Sequence, residues 1–184
     1  MITPTGRAEL EYNLALADEV ALALRDDGFA VKKINQHPGF GARMREARGA
    51  ALFISIHHDS VRERYISEPQ LFSGFSLYVS RHNPELEKSR RCASAIGARL
   101  RGIGLKPSRY HADAVFGENR PFADEVNGVH YYDNLAVGKA APMASVLVEA
   151  GVIVNAEEER RITDPAMRRA IAGAIAKGAA DCLK

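Results

Sequence analysis

The sequence predicts an α/β protein: a mixed, mostly parallel β-sheet flanked by helices on both faces, in a single domain. Two runs, ALFISIH (51–57) and MASVLVEAGVIVN (143–155), are continuously apolar, as expected for strands that are covered on both faces. Segments with a helical period alternate with them along the chain. A length of 184 residues, 46% of them hydrophobic, suits one domain with one core.

The first half of the chain predicts two helices and three strands. Apolar residues recur with a helical period over 11–24, and Gly28 follows as a stop signal. FAVKKIN (29–35) alternates and is rich in strand-forming residues, so a strand is expected there, and a short helix follows at 44–50. SGFSLYVS (73–80) alternates in the same way and predicts a strand beyond the first apolar run.

The second half begins with a helix signal. Asn83 followed by Pro84 predicts an N-cap and first turn, and the helix is expected to end near Gly104. Residues 105–135 contain few periodic apolar positions, so they predict a long loop of the kind that often has a function.

Capping signals mark the last two helices. Asn155 and Glu158 resemble a capping box directly after the second apolar run. Asp164 and Pro165 predict the start of the final helix, which carries apolar residues on one side.

Composition argues against several classes of protein. The 25 Lys and Arg residues nearly balance 23 Asp and Glu residues, and they are spread along the chain, so nucleic-acid binding is not indicated. No apolar run approaches the roughly 18 residues of a membrane span, and MITPTGRAELEYN lacks the features of a signal peptide. Cys92 and Cys182 share their helical positions with Ala and Ile, so small core residues are expected rather than a disulfide or metal ligands.

Two polar residues stand out in the apolar strands. His57 ends the first strand, where α/β sheets place their sites, and a neutral imidazole there could bind a metal ion. The alternative is a histidine satisfied by hydrogen bonds at a sheet edge. Glu149 interrupts the second strand, where burial would raise its pKa toward the range of a general base, and the alternative is a salt bridge with an arginine. If the strands are neighbours, both residues face one crevice.

The stretch GENRPFADEVNG (117–128) is a further candidate for binding. Glu118, Asn119 and Arg120 supply donors and acceptors suited to a charged peptide. The alternative is an ordinary solvated loop, and the sequence assigns these residues no definite role.

Three segments resemble signature blocks of a known family. TPTGRAELEYNLALA, LFISIHHDS and VLVEAGVIVNAEEE are similar to blocks of the zinc-dependent N-acetylmuramoyl-L-alanine amidases of type 3, which hydrolyse peptidoglycan. Their order and approximate spacing match over essentially the whole chain. The resemblance implies a mixed sheet flanked by helices, a Zn²⁺ cofactor, a peptidoglycan or muropeptide substrate, and a place in the bacterial periplasm or cell envelope.

The resemblance also implies roles for individual residues. Glu9 and His57 become zinc ligands, with Glu11 as the alternative to Glu9 if the alignment shifts by two residues. On spacing alone, both glutamates would be first-turn acids that favour the positive end of a helix dipole. Glu149 becomes the catalytic carboxylate, which accepts a proton from the attacking water and passes it to the departing amine. Zinc would lower the pKa of that water and polarise the amide carbonyl.

One expected element is missing from the chain. The family's opening strand ends in a histidine that is the third zinc ligand, and residues 1–184 begin just after that place. They therefore predict an amidase-like catalytic domain without the first strand and its histidine. Three explanations are open: a fragment or late start, which we favour, a substitute histidine, or loss of the metal.

The chain contains five other histidines that could substitute for the missing ligand. His111 and His130 lie in the long predicted loop and could reach the crevice. His58 points to the opposite face of its strand from the preceding histidine. His37 and His82 lie beside turn signals, so both are expected to be exposed.

The leading prediction is therefore a cell-wall hydrolase that cleaves the amide bond between N-acetylmuramic acid and L-alanine. Two alternatives stay open. One is a metal-free peptidoglycan-binding module, which the missing histidine favours. The other is a zinc hydrolase of the same fold that acts on another amide.

Overall fold

The computed structural model describes residues 3–34, 39–115 and 118–184. This part of the chain forms a single α/β domain, as predicted, with short 3₁₀ turns at Glu63–Tyr65, Pro69–Leu71 and Tyr110–Ala112. Its helices and strands are, in chain order, α1 (Glu9–Asp26), α2 (Phe40–Glu46), β1 (Phe53–Asp59), β2 (Ser76–Val79), α3 (Leu86–Gly102), β3 (Phe122–Asp124), β4 (Val129–Tyr131), α4 (Ala136–Ala140), β5 (Ser145–Val152), α5 (Ala156–Thr163) and α6 (Pro165–Leu183).

The described strands form one mixed sheet in the order β1-β5-β2-β4-β3. The pairs β1–β5 and β2–β4 are parallel, whereas β5–β2 and β4–β3 are antiparallel. The two apolar runs of the sequence are thus the neighbouring strands β1 and β5. Because these strands are parallel and adjacent, their carboxyl ends lie side by side at the same end of the sheet.

The two faces of the sheet differ in polarity because side chains alternate along each strand. The apolar face packs against α1, α3 and α6 and forms the main core. Its strand residues include Ile54, Ile56, Leu77, Val79, Val129, Val146, Val148 and Ala150. The opposite face carries His57, Ser76, Tyr78, His130 and Glu149, which the strand registers place on the same side. The three long helices therefore leave the polar face to loops and shorter elements.

A disulfide joins α3 to α6, and the prediction of unpaired cysteines is wrong. Cys92 and Cys182 are bonded, with their Cα atoms 4.9 Å apart. The two helices approach closely at Gly178, where an added Cβ would lie 2.4 Å from the Cα of Ile96. The cysteines lie 90 residues apart in the chain, so only helix packing brings them together.

The strand predicted at 29–35 is also wrong. Residues 29–34 are not in a strand, and Asn35 lies outside the described residues. A segment with an alternating pattern forms a strand only if it pairs with a neighbouring strand. This segment does not pair with β1, which is the edge strand of the described sheet. Phe29 and Val31 instead line a cavity of about 860 Å³ beside β1.

The predicted N-cap of α3 is placed too early. The helix begins at Leu86 with Glu85 at the N-cap, two residues after Asn83. The Asn83 side chain is buried, and its Nδ2 donates to the carbonyl oxygens of Gly138 (2.8 Å) and Met143 (3.1 Å). Asn83 thus ties together chain segments rather than capping the helix.

Residues 105–135 are not one long loop, which corrects another prediction. Two strands of three residues each, β3 and β4, lie in this range, and β4 pairs in parallel with β2. Strands this short have too few residues to show an alternating pattern in the sequence.

The capping signals near the end of the chain are largely confirmed. The Asn155 side chain accepts hydrogen bonds from the backbone at the start of α5, and Asp164 accepts one from Met167 N at 2.8 Å. The Glu158 carboxylate does not complete the box, because it accepts from the backbone N–H groups of Gly74 (3.0 Å) and Val152 (3.1 Å). Within the described ranges, no helix has the length and apolar character needed to cross a bilayer.

Candidate active site

Residues from α1, β1 and β5 meet at the carboxyl ends of the two parallel strands. His57 and Glu149 are paired in the β1–β5 register, so their side chains leave the same face of the sheet. Glu9, in the first turn of α1, places its Oε1 atom 3.1 Å from His57 Nδ1. Asn13, one helical turn later, donates from Nδ2 to the same Glu9 oxygen at 2.9 Å. The structure thus brings the three predicted site residues into one region.

Electrostatics keep Glu9 ionised. Its hydrogen bond with His57 lowers the pKa of Glu9 to about 2, helped by Asn13 and opposed by partial burial. Glu11 has a different role, since its Oε1 accepts a hydrogen bond from Ala8 N at 3.0 Å and caps the helix. Glu9 is therefore the glutamate of this helix that contacts His57.

Glu149 lies in an environment that favours its protonated form. Burial raises the pKa of Glu149 well above its ordinary value, and the negative charges of Asp59 and Glu9 raise it further. Its Oε2 atom is buried and has no hydrogen-bond partner among the described residues. The positive charge of Arg120 opposes this rise without forming an ion pair with Glu149 in the described part of the chain.

A second polar cluster adjoins Glu149 at the end of β1. Asp59 accepts a hydrogen bond from Tyr110 OH, and its Oδ2 lies 2.7 Å from His111 Nε2, a close contact outside ideal hydrogen-bond geometry. His111 Nδ1 lies 3.2 Å from Glu118 Oε2. Burial alone would lower the pKa of His111, but the two carboxylates outweigh it and raise the pKa.

The remaining histidines are not gathered around Glu9. His130 is fully buried, and its Nδ1 donates to the Arg120 carbonyl oxygen at 3.3 Å. His58 lies on the α1 side of its strand, with Nδ1 at 2.8 Å from Asn13 Oδ1. Burial lowers the pKa of both histidines to about 4. His82 is exposed, as expected, and His37 lies outside the described residues.

The positions of these side chains limit how the described residues could bind a metal ion. Among residues 3–34, 39–115 and 118–184, no group of three or more His, Cys, Asp or Glu side chains could hold a metal ion. Glu9 and His57 form a pair of potential ligands, and His111 is instead engaged by Asp59 and Glu118. The described residues therefore include two potential ligands close together, one fewer than the three protein ligands that a catalytic zinc commonly uses.

Three residues of the site were not predicted. Asn13 lies four residues after Glu9 on the same helix face, a spacing from which its contact with Glu9 could have been inferred. Asp59 and Tyr110 are 51 residues apart in the chain and meet only through the fold. No sequence pattern connects them.

Comparison with known families identifies the chain over almost its full length. The family model described as N-acetylmuramoyl-L-alanine amidase matches residues 2–181. A comparison with curated protein sequences found no significant match.

Solved structures with the same fold agree with this match. Ami1, the N-acetylmuramyl-L-alanine amidase of Mycobacterium smegmatis, superposes with a TM-score of 0.78 at 24% identity and covers 100% of this chain and 80% of its own. AmiC2 of Nostoc punctiforme gives 0.73 at 20% identity, covering 100% and 88%. The catalytic domain of CwlV from Bacillus (Paenibacillus) polymyxa gives 0.70 at 23% identity, covering 96% and 86%. Because the family model spans nearly the whole chain, the protein belongs to the N-acetylmuramoyl-L-alanine amidase family and is a hydrolase of that type.

Proposed function

We propose that the protein hydrolyses the amide bond between N-acetylmuramic acid and L-alanine of peptidoglycan in a zinc-dependent reaction. The observation that carries the proposal is the grouping of Glu9, His57 and Glu149 at the carboxyl ends of β1 and β5. Two potential metal ligands lie there in contact with each other, and a carboxyl group with a raised pKa lies on the neighbouring strand.

The geometry of Glu9 and His57 fits a zinc ion. Two ligands of a tetrahedral zinc, each about 2.0 Å from the metal, are separated by about 3.3 Å. Glu9 Oε1 and His57 Nδ1 are 3.1 Å apart, and the low pKa of Glu9 keeps this ligand anionic. Asn13 and the strand backbone fix both side chains, as expected of groups that support ligands.

We assign the third ligand to an additional strand that pairs with the open edge of β1. This edge is unpaired among the described strands, and the cavity of about 860 Å³ lies along it. Apolar side chains of α1 and β1, including Leu14, Leu24 and Ile54, line the cavity beside His57. A strand placed there would bury these side chains and end next to the Glu9–His57 pair.

The chain's own residues then divide the chemistry among them. Glu9 and His57 would hold the metal, which when bound would supply a Lewis acid for the amide carbonyl and the attacking water. Glu149 accepts the proton of that water at a carboxylate oxygen and later donates it to the nitrogen of the departing L-alanine. The positive charge of the metal would lower the raised pKa of Glu149 and so favour its basic form.

We also propose that the protein works in the periplasm or cell envelope. The disulfide between Cys92 and Cys182 supports this, because disulfides persist in oxidising compartments outside the cytoplasm. Peptidoglycan, the substrate of the family, lies in the same place.

Metal analysis and product analysis test the proposal. Protein that includes the additional strand beside β1 is expected to bind about one zinc ion, with loss of binding in His57→Ala and retention in His82→Ala, a matched change at an exposed histidine. Purified sacculi are expected to release stem peptides with a free L-alanine amino terminus. Release of acetate instead would support another amide as the substrate.

A metal-free binding module is the second candidate. The described residues include two potential metal ligands rather than three, and this observation favours the binding module. Binding of peptidoglycan with no bound zinc and no release of stem peptide would support the module and contradict the enzyme.

A further inference from the structure

Arg120, in the stretch 117–128, packs against aromatic rings and is only partly exposed. Its side chain is 16% exposed. The guanidinium carbon lies 3.7 Å from the centre of the Tyr132 ring and 4.9 Å from that of Tyr78. An arginine stacked on aromatic rings in this way has few conformations left to lose when it binds a ligand.

The backbone on both sides of Arg120 is also held. Asn119 adopts a left-handed conformation with φ of 53°, which turns the chain between Glu118 and Arg120. Arg120 N donates to the carbonyl oxygen of His111 at 2.9 Å, and Arg120 O accepts from His130 Nδ1 at 3.3 Å. The guanidinium position is therefore set by the fold before any ligand arrives.

Arg120 lies over the sheet face that carries Glu149. Tyr78, beneath the guanidinium, is paired with Leu147 in the β2–β5 register, and Ser76 on the same side of β2 is paired with Glu149. Arg120 and Glu149 thus face the same side of the sheet, and the positive charge of Arg120 partly offsets the rise in the pKa of Glu149. A ligand bound by Arg120 would lie on the same side of the sheet as the group that we propose for proton transfer.

The guanidinium keeps donors available. Among the described residues, its polar contact is with Glu118, at 3.2 Å. Glu118 is shared with His111 at 3.2 Å and with Arg62 at 3.8 Å, so it only partly neutralises Arg120. Five N–H groups on one guanidinium exceed what a shared carboxylate oxygen can accept. The hydroxyl of Tyr78, beneath the guanidinium, is buried and has no hydrogen-bond partner in the described part of the chain.

The substrate of the proposed reaction offers a matching anion. The lactyl carboxyl group of muramic acid is consumed in the scissile amide, so the free carboxylates near that bond belong to the stem peptide. Arginine binds carboxylates with charge-assisted and often bidentate hydrogen bonds. A guanidinium held on the sheet face that carries Glu149 can therefore bind the carboxylate of the residue that follows L-alanine.

We propose that Arg120 is a specificity-determining residue that binds the free α-carboxylate of the second stem-peptide residue. It makes the enzyme prefer peptides with this carboxylate over peptides in which it is a carboxamide. The inference rests on the proposed amidase function, since it takes its ligand from that substrate.

Binding measured without turnover tests the inference. The probes are a soluble N-acetylmuramoyl tripeptide with an acidic second residue and its α-carboxamide analogue, titrated by calorimetry into Glu149→Gln protein. The acid is expected to bind about tenfold more tightly than the amide, and Arg120→Gln is expected to remove this preference by weakening the acid alone. Arg62→Gln, which also removes a positive charge next to Glu118, is expected to leave the preference intact.

The outcomes separate the inference from the proposed function. Equal weakening of both probes by Arg120→Gln, equal binding of both probes by the parent, or no binding of either would overturn the role of Arg120. If Arg120→Gln fails to fold in a far-ultraviolet circular dichroism check, the uncharged Arg120→Met replaces it, and an unchanged preference in that variant also overturns the role. Discrimination by Arg120 without release of stem peptide from sacculi by the parent chain would sustain the inference and contradict the enzyme.

Discussion

His57 and Glu149 are direct neighbours across the parallel β1–β5 pair. One contacts the carboxylate of Glu9, and the other has a buried oxygen without a partner among the described residues. This pairing puts a potential metal ligand and the proposed proton-transfer group on the same face and at the same level of the sheet. Two strands 90 or so residues apart in the chain thereby form one site.

Replacing Glu149 by Gln is expected to abolish most activity. Loss of the group that accepts and returns the proton should lower kcat by about 10² to 10⁴-fold, while zinc binding stays unchanged because Glu9 and His57 are intact. Stem-peptide release and metal content are the measurements. A variant with more than about a tenth of the parental kcat would contradict the assigned role.

The same variant should change the pH dependence of stability. The folded protein keeps the Glu149 proton above pH 4.5, where the unfolded chain loses it, so the stability of the parent falls as the pH rises past this value. Gln cannot ionise, so the variant should gain stability relative to the parent between about pH 4.5 and neutrality. Urea unfolding of metal-free protein checks this, with the exposed Glu87→Gln as a control that should show no such gain.

His130 should make the protein less stable in mild acid. Burial lowers its pKa from 6.5 to about 4, so the unfolded chain takes up a proton in this window before the folded protein does. Stability is therefore present above pH 6.5 and falls by up to about 3 kcal/mol as the pH decreases toward 4.

The variant His130→Asn tests this contribution because it keeps a donor near the Nδ1 position. Its free energy of unfolding should fall less steeply than that of the parent between pH 6.5 and about 4. Urea unfolding at several pH values measures both slopes. Parallel slopes would show that His130 does not contribute to the acid response.

The disulfide should add to stability. Removing the link between Cys92 and Cys182, which closes a loop with a separation of 90 residues, should cost about 3 to 5 kcal/mol. The double variant Cys92→Ala/Cys182→Ala and the reduced parent should unfold at similarly lowered denaturant concentrations. Reductant should not affect the double variant, and a parent unaffected by reductant would contradict the bond.

Two glycines of α6 provide a matched test of the α3–α6 contact. A Cβ at Gly178 would lie 2.4 Å from Ile96 Cα, so Gly178→Ala should force the helices apart and cost about 2 kcal/mol or more. A Cβ at Gly173 would meet nothing within 4 Å, so Gly173→Ala should stabilise the helix by about 0.5 to 1 kcal/mol. Thermal or urea unfolding gives both values, and the same sign for both changes would contradict this packing.

The parts of the structure that could be predicted are those with a local pattern in the sequence. The apolar runs that became β1 and β5 were recognised because a strand covered on both faces needs apolar residues at every position. The resemblance of the blocks around Glu9, His57 and Glu149 predicted a common site, and the structure places these three side chains in one region, whereas their roles stay predictions. Residues 29–34 show the limit, because an alternating pattern does not reveal whether a partner strand is present.

Residues that act through distant contacts escaped prediction. Asn83 looked like a helix cap, yet its side chain joins backbone carbonyls from a segment some 55 or more residues away. Arg120 looked like part of a solvated loop, and only the packing of Tyr132 against it shows that it is held in place.

By itself, the sequence determined the α/β class, the type of most helices and strands along the chain, and the family. Periodicity, helix caps and signature blocks are local properties of the chain. Tertiary structure alone decided the Cys92–Cys182 bond, the polar contacts of Asp59 with Tyr110 and His111, and the stacking of Arg120. These contacts depend on how helices and strands pack in three dimensions. Their free energy comes from groups that are far apart in the chain, so no local pattern encodes them.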